Sequence, residues 1–180
     1  MATVIIRPTS EPTSVTGFDV NGTTFIARIN DNDTGTAATQ NSTTCEVVGI
    51  PFDDSSSYSG ATINSVTVSL TGNISRSAST VTTTLMNGNN QLQVAELTFS
   101  GASTQSASAY TSSLTPTIVD ALTLNLNPDS AGITLQEVFI TVDYTAAAGY
   151  SHKVAGIAAS SVAKVSTLAT ASIGKINTVD

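Results

Sequence analysis

The stretch INSVTVSL, residues 63–70, decides the fold class. Val66, Val68 and Leu70 fall on one side of an extended chain, with Thr67 and Ser69 on the other, because successive side chains of a strand point to opposite faces. Such strict alternation marks a half-buried strand. The same period returns at residues 137–144, EVFITVDY, which places Val138, Ile140, Val142 and Tyr144 inward and Thr141 and Asp143 outward. It returns again at 121–126, where Leu122, Leu124 and Leu126 share a side.

Working outward, further short apolar runs are bounded by turn residues. Residues 3–7 end at Pro8; 24–29 (TFIARI) follow Asn21-Gly22; 45–52 (CEVVGIPF) lie between a Thr/Asn/Ser loop and Asp53-Asp54. Residues 81–86 and 92–99 flank Asn87-Gly88-Asn89-Asn90, a turn sequence that tolerates positive φ, and read as a hairpin. Residues 117–122 can hold one helical turn, but their β-branched side chains disfavour a longer helix. The polar segment 100–116 is read as a crossing between sheets. About eight short, evenly spaced strands with no long helix predict an all-β antiparallel β-sandwich or jelly roll over residues 1–145.

After Tyr144 the composition changes. Residues 146–152, beginning Ala146-Ala147-Ala148-Gly149, read as a linker, and 153–180 form a repeat tail. In register the tail runs Lys153-VAGIAASSVA, Lys164-VSTLATASIG and Lys175-INTVD, a period of eleven. Val154, Val165 and Ile176 coincide, as do Ile157, Leu168 and Val179, and Val162 matches Ile173. So many coincident positions identify a genuine internal repeat. Its apolar spacing fits a hendecad helix seam. Its Ser, Thr, Gly and β-branched content instead favours one short turn and strand per repeat, stacked or intertwined between chains. In either form the stripe of Val154, Ile157, Val162, Val165, Leu168, Ile173 and Ile176 is too short to bury itself. Its covering is expected from other copies, with a homotrimer as the first expectation and the sandwich's own surface as the alternative.

Composition narrows the function. Charged residues make up 11% of the chain, against a usual level of about 25%, while Ser and Thr supply about 30%. Hydroxyl-rich surfaces stay wet yet bring little charge to be desolvated at a contact. The net charge is −7, and the six Lys and Arg are scattered, which disfavours nucleic acid and anionic membranes as partners. Cys45 is the only cysteine, so no intrachain disulfide forms, in keeping with synthesis in a reducing cytoplasm. The first residues do not read as a signal peptide, and no apolar run reaches membrane-spanning length. Four Asn-X-Ser/Thr matches are what chance gives in a chain this rich in hydroxyls.

Catalytic chemistry finds little support. The one histidine, His152, stands in the linker beside Ser151 without the turn of a nucleophile elbow. One Cys and one His do not make a zinc site. The acids read mostly as loop or outward strand residues, and a chain without Trp is poorly supplied for an aromatic-lined cleft. No enzyme activity and no cofactor are expected. A weak calcium candidate is Asn30-Asp31-Asn32-Asp33-Thr34-Gly35, in which Asp31 and Asp33 offer oxygens at alternate positions but no distal bidentate Glu follows; an Asx-rich turn is the simpler reading.

Residues 153–165, KVAGIAASSVAKV, resemble the terminal K-V-x-G-[IV]-A-type repeats of tailed-bacteriophage virion proteins, especially those of cyanophages. Residues 118–126 and 133–144 are similar to the closing strands of β-sandwich modules in phage fibre and decoration proteins. The second repeat departs from that pattern, with Ser166-Thr167 where a small turn pair would stand. The resemblance implies a structural virion component: a capsid decoration (cement) protein or a head, neck or tail fibre. It would be made in the host cytoplasm and would contact itself and other virion proteins, such as the major capsid or neck proteins. The alternative it leaves open is a receptor-binding tail-fibre module that recognises host surface glycans through the loops near 30–44 and 100–116.

Overall fold

The structure, a computed structural model, describes residues 1–30, 35–53, 58–74, 78–129 and 132–147, together with the backbone of 164–165 and 168–169. The described strands of the sandwich are β1 (Ala2–Ile6), β2 (Ser14–Thr16), β3 (Phe18–Asp19), β4 (Ala38–Gln40), β5 (Glu46–Pro51), β6 (Thr62–Ile74), β7 (Ser79–Asn87), β8 (Asn90–Phe99), β9 (Ser103–Ser106), β10 (Leu122–Pro128) and β11 (Ile133–Thr145). One sheet has the order β3-β4-β11-β6-β9, with β1 also paired to β11; the other runs β2-β5-β10-β7-β8. All pairings are antiparallel. This is the all-β sandwich that the alternating sequence requires.

The long pair β6–β11 forms the middle of the first sheet. Val66 stands opposite Val142, Val68 opposite Ile140 and Leu70 opposite Val138, and all six side chains are buried. Across the interior β10 contributes Leu122, Leu124 and Leu126, flanked by Val81 and Leu85 of β7 and Val47 and Ile50 of β5, in one continuous apolar cluster. Each such side chain contributes about 1.5–3 kcal/mol on full burial. Their period-2 placement on both sheets is therefore what selects a sandwich over any helical arrangement.

Local chemistry punctuates the strands as the sequence suggests. Asn87 pairs with Asn90 across Gly88-Asn89, and Gly88 takes φ +57°, so the hairpin closes through a tight turn of left-handed backbone. The single helical turn lies at α2 (Pro116–Asp120), where Thr115 caps by accepting from the Ile118 N–H at 3.2 Å and Pro116 starts the turn. Segment 100–116 does cross, from β8 in one sheet to β9 in the other.

Residues 24–29 correct the sequence reading. They are not a strand: 26–29 form a helical turn, α1 (Ile26–Ile29). Phe25 and Ile29, four residues apart, are both buried, a helical spacing that TFIARI carries as readily as a strand pattern. The carboxylate of Glu11 settles the choice by accepting from the Phe25 and Ile26 N–H groups at 3.2 and 2.9 Å. These are donors that a first turn leaves unsatisfied. Phe18 meets Phe25 edge-on at 5.5 Å and fixes the turn against the sheet.

The strands that the sequence does not announce are β2, β3, β4 and β9, none longer than four residues. β9 is held by a ladder of hydroxyls, Ser69 with Ser106 at 2.8 Å and Thr71 with Thr104 at 2.9 Å. Gly17 sits where β2 turns into β3 with φ +74°, and a Cβ there would lie 2.4 Å from Cys45 Sγ. That thiol is buried and donates to the carbonyls of Gly17 and Ser42.

Two substitutions test this packing by urea unfolding. Leu124→Ala should cost about 2–5 kcal/mol, through lost transfer energy and the cavity left between the sheets. Gly17→Ala should cost about 1–3 kcal/mol from the left-handed backbone alone, with the clash on Cys45 added. An unchanged midpoint for either would contradict the arrangement.

Candidate functional site

The seven apolar residues of the tail stripe and the pair Asp31 and Asp33 were the sequence-level site candidates. Asp31, Asp33, Val154, Ile157, Val162, Ile173 and Ile176 lie outside the described residues. Of Val165 and Leu168 the backbone is described: β12 (Lys164–Val165) pairs antiparallel with β13 (Leu168–Ala169), Val165 opposite Leu168. At these four positions the repeat is extended, with Ser166-Thr167 between the paired residues.

Several carboxylates of the sandwich are committed to architecture. Glu11 holds the start of α1, as above. Asp129 accepts from the Ser79 hydroxyl and the Thr80 N–H, both at 2.9 Å, and anchors the start of β7. Asp143 accepts from Asn64 Nδ2 at 3.2 Å. Asp19 accepts from the Asn21 N–H at 2.8 Å within its own turn. Asp120, at the end of α2, accepts from the hydroxyl of Tyr58, whose buried ring lies 6.4 Å from that of Tyr144.

Glu137 departs from the expected exposed acid, being only 9% accessible. A bulge between Leu135 and Glu137 resets the alternation of β11 at this point. Arg7, just beyond β1, brings Nη2 to 3.6 Å from Glu137 Oε1, while Thr71 donates to Oε2 at 3.5 Å. Coulomb attraction in so enclosed a position is offset by desolvation, so the pair orients β1 on β11 more than it stabilises the fold. Sequence reasoning missed it because Arg7 and Glu137 are joined only by a long-range pairing.

Among the described residues no group of three or more His, Cys, Asp or Glu is close enough to hold a metal ion, and no helix is long and apolar enough to cross a membrane. The surface that remains is made of sheet faces and edges. Its large exposed hydrophobic residues are Met1, Ile5 at 52% and Val94 at 49% accessibility, with Ile5 on one sheet and Val94 on the other. The outward row Asn125–Thr84–Val94 and the row Asn127–Thr82–Glu96 show the character of the second sheet's face, amides and hydroxyls with one valine and one acid. Segment 100–116 is tied down rather than free. β9 pairs with β6, Tyr110 exchanges backbone hydrogen bonds with Val66, and the Ala107 N–H bonds the carbonyl of Val68.

The sheet edges differ sharply in length. β1, β2, β3 and β9 run two to five residues, whereas β8 runs ten and lies at the end of its sheet. Gln93 Nε2 donates to the Ser108 carbonyl at 2.8 Å and ties β8 to the neighbouring edge through its side chain. Among the described residues, backbone pairing of β8 is with β7 alone.

No protein-family profile and no curated protein matches the chain. Two solved structures are similar in shape. The C-terminal CBM6 of LamC, a marine laminarinase from Zobellia galactanivorans, is 10% identical with a TM-score of 0.45, over 78% of this chain and 98% of that one. The GH26-CBM35 β-(1,4)-mannanase of Podospora anserina is 16% identical with a TM-score of 0.42, over 80% of this chain and 28% of that one.

The Tyr58–Asp120 contact is open to a direct test. Tyr58→Phe keeps the ring against Tyr144 but strips a half-buried carboxylate of its donor, and should cost about 1–3 kcal/mol in thermal or urea unfolding. In the Asp120→Asn background the same substitution should cost less, and equal costs in the two backgrounds would show the two residues to be uncoupled.

Proposed function

We propose that this chain is a structural component of a tailed-phage virion, a capsid decoration or cement protein or a head or neck fibre, that works through protein–protein contacts. One observation carries the reading. The sandwich closes its own core and leaves, among its described residues, three large hydrophobic side chains exposed, two of them on opposite sheets. The described sandwich therefore offers few exposed large apolar side chains to cover a tail stripe of Val154, Ile157, Val162, Val165, Leu168, Ile173 and Ile176. At roughly 25 cal/mol per Å² of apolar area, leaving it in water is costly, and covering by other copies of the tail is the consistent solution. The wet, weakly charged sheet faces suit a body that packs beside other virion proteins with little desolvation, and the K-V-x-G-I-A-type repeat supports a virion setting.

In this reading the sandwich is the body that meets the lattice or the solvent, and the tail sets the oligomeric state, with a homotrimer as the first expectation. Deleting residues 150–180 should leave a folded β domain that is monomeric or assembles poorly by light scattering. An oligomer of unchanged mass would remove the role given to the tail. Stoichiometry in a purified particle then separates the positions. A copy number comparable with the major capsid protein means decoration, and a small fraction of it means a fibre or neck. Absence from the particle, or saturable binding of a host glycan as the chain's main activity, would overturn the virion-scaffold reading.

A further inference from the structure

We infer that the free edge of β8 is the acceptor for the repeat tail of a neighbouring copy, which adds to the second sheet as an extra strand. The inference rests on the assembly role proposed for the tail and names the surface that the tail occupies.

The acceptor is argued from the edge itself. A strand at the border of a sheet presents unpaired N–H and C=O groups along its length, and natural sheets blunt such borders with short strands, prolines, lysines or bulges. In this sandwich β2, β3 and β9 are short in that way. β8 is not. Its bulge, where Leu85 and Met86 face Gln93 and Gln91, disturbs only the end near the hairpin turn. Gln93, Val94, Ala95, Glu96, Leu97, Thr98 and Phe99 then run in unbroken register, without proline or lysine and with Glu96 as the one charge. Val94, half exposed, stands in the middle of this run. So long and smooth an edge is a pairing surface unless something covers it.

Charge decides between the two occupants the chain itself can supply. A second copy's β8 would bring together two sandwiches of like sign: residues 1–145 hold twelve of the thirteen acids against Arg7, Arg28 and Arg76 alone. The tail has the opposite sign, since residues 153–180 carry Lys153, Lys164 and Lys175 against Asp180. Where the tail is described, Lys164–Val165 and Leu168–Ala169 are extended and pair with each other, so addition to β8 exchanges that short hairpin pairing for pairing with the edge. Main-chain hydrogen bonds would supply the affinity, as in other strand additions. A tail lysine meeting Glu96 would select the partner and register, a contribution that salt screens over about 8 Å at physiological ionic strength.

The test uses the full chain and reads its mass by sedimentation, with circular dichroism to confirm the β fold. Val94→Lys combined with Glu96→Lys, both at exposed positions, should weaken assembly by about tenfold or more. Adding Lys164→Glu and Lys175→Glu to the same chain should restore it. If the paired β8 variant fails to fold, Glu96→Lys alone takes its place. Three results would count against the inference, each differently. Normal assembly of the β8 variant, in a protein that dissociates when 150–180 is deleted, removes β8 as the acceptor but leaves the tail's assembly role intact. Lost assembly that the reversed tail does not restore replaces the tail with another occupant of the edge, such as a second β8. Assembly that survives deletion of the tail sinks both this inference and the role it rests on.

Discussion

Everything in this molecule depends on where its apolar surface goes. Two sheets, each with one greasy side, press those sides together, and the central pair β6–β11 with the facing β10 absorbs the largest continuous share of valine, leucine and isoleucine. Once that interior is closed, the sandwich has little apolar area left to offer. In the proposed reading, the second apolar stripe of the same chain is covered by other copies. In that reading this constraint links fold to function.

The outer surface follows from the same economy of charge. Threonines, serines and asparagines occupy the outward strand positions, so cross-strand contacts such as Ser69–Ser106 and Thr71–Thr104 are hydroxyl to hydroxyl. Several of its carboxylates hold turns, the start of α1 and the Arg7–Glu137 pair. A body built this way resists indiscriminate sticking because its faces are hydrated. It can still be packed closely, because hydroxyls give up water at lower cost than charges do. The long edge of β8 is the exception, its backbone paired on one side only among the described residues.

How much of this could be read beforehand varied with the length of the pattern. Val66, Val68 and Leu70, the three leucines of β10 and the Asn87–Asn90 hairpin were legible because several residues repeat one period with turn chemistry at the ends. Residues 24–29 misled because Phe25, Ile26 and Ile29 fit a helix as well as a strand, and the deciding carboxylate, Glu11, is more than a dozen positions away. β9 was invisible because Ser-Thr-Gln-Ser has no apolar face to reveal and is fixed only by hydroxyl partners on β6. Glu137 reads as a surface acid in the sequence because alternation alone knows nothing of the bulge before it or of Arg7 arriving from the first strand. The eleven-residue repeat is plain in the sequence, while what covers its apolar stripe is not encoded in any local pattern.

The central claim is that the tail's valines and isoleucines are shielded by other polypeptides and not by their own sandwich. Hydrogen exchange across the tail, followed while the protein is diluted through its dissociation, addresses it most directly. The account predicts that amides of the repeat are protected in the oligomer and lose protection as single chains appear, while those of β6, β10 and β11 stay protected throughout. Tail protection that is undiminished in the isolated monomer would contradict it.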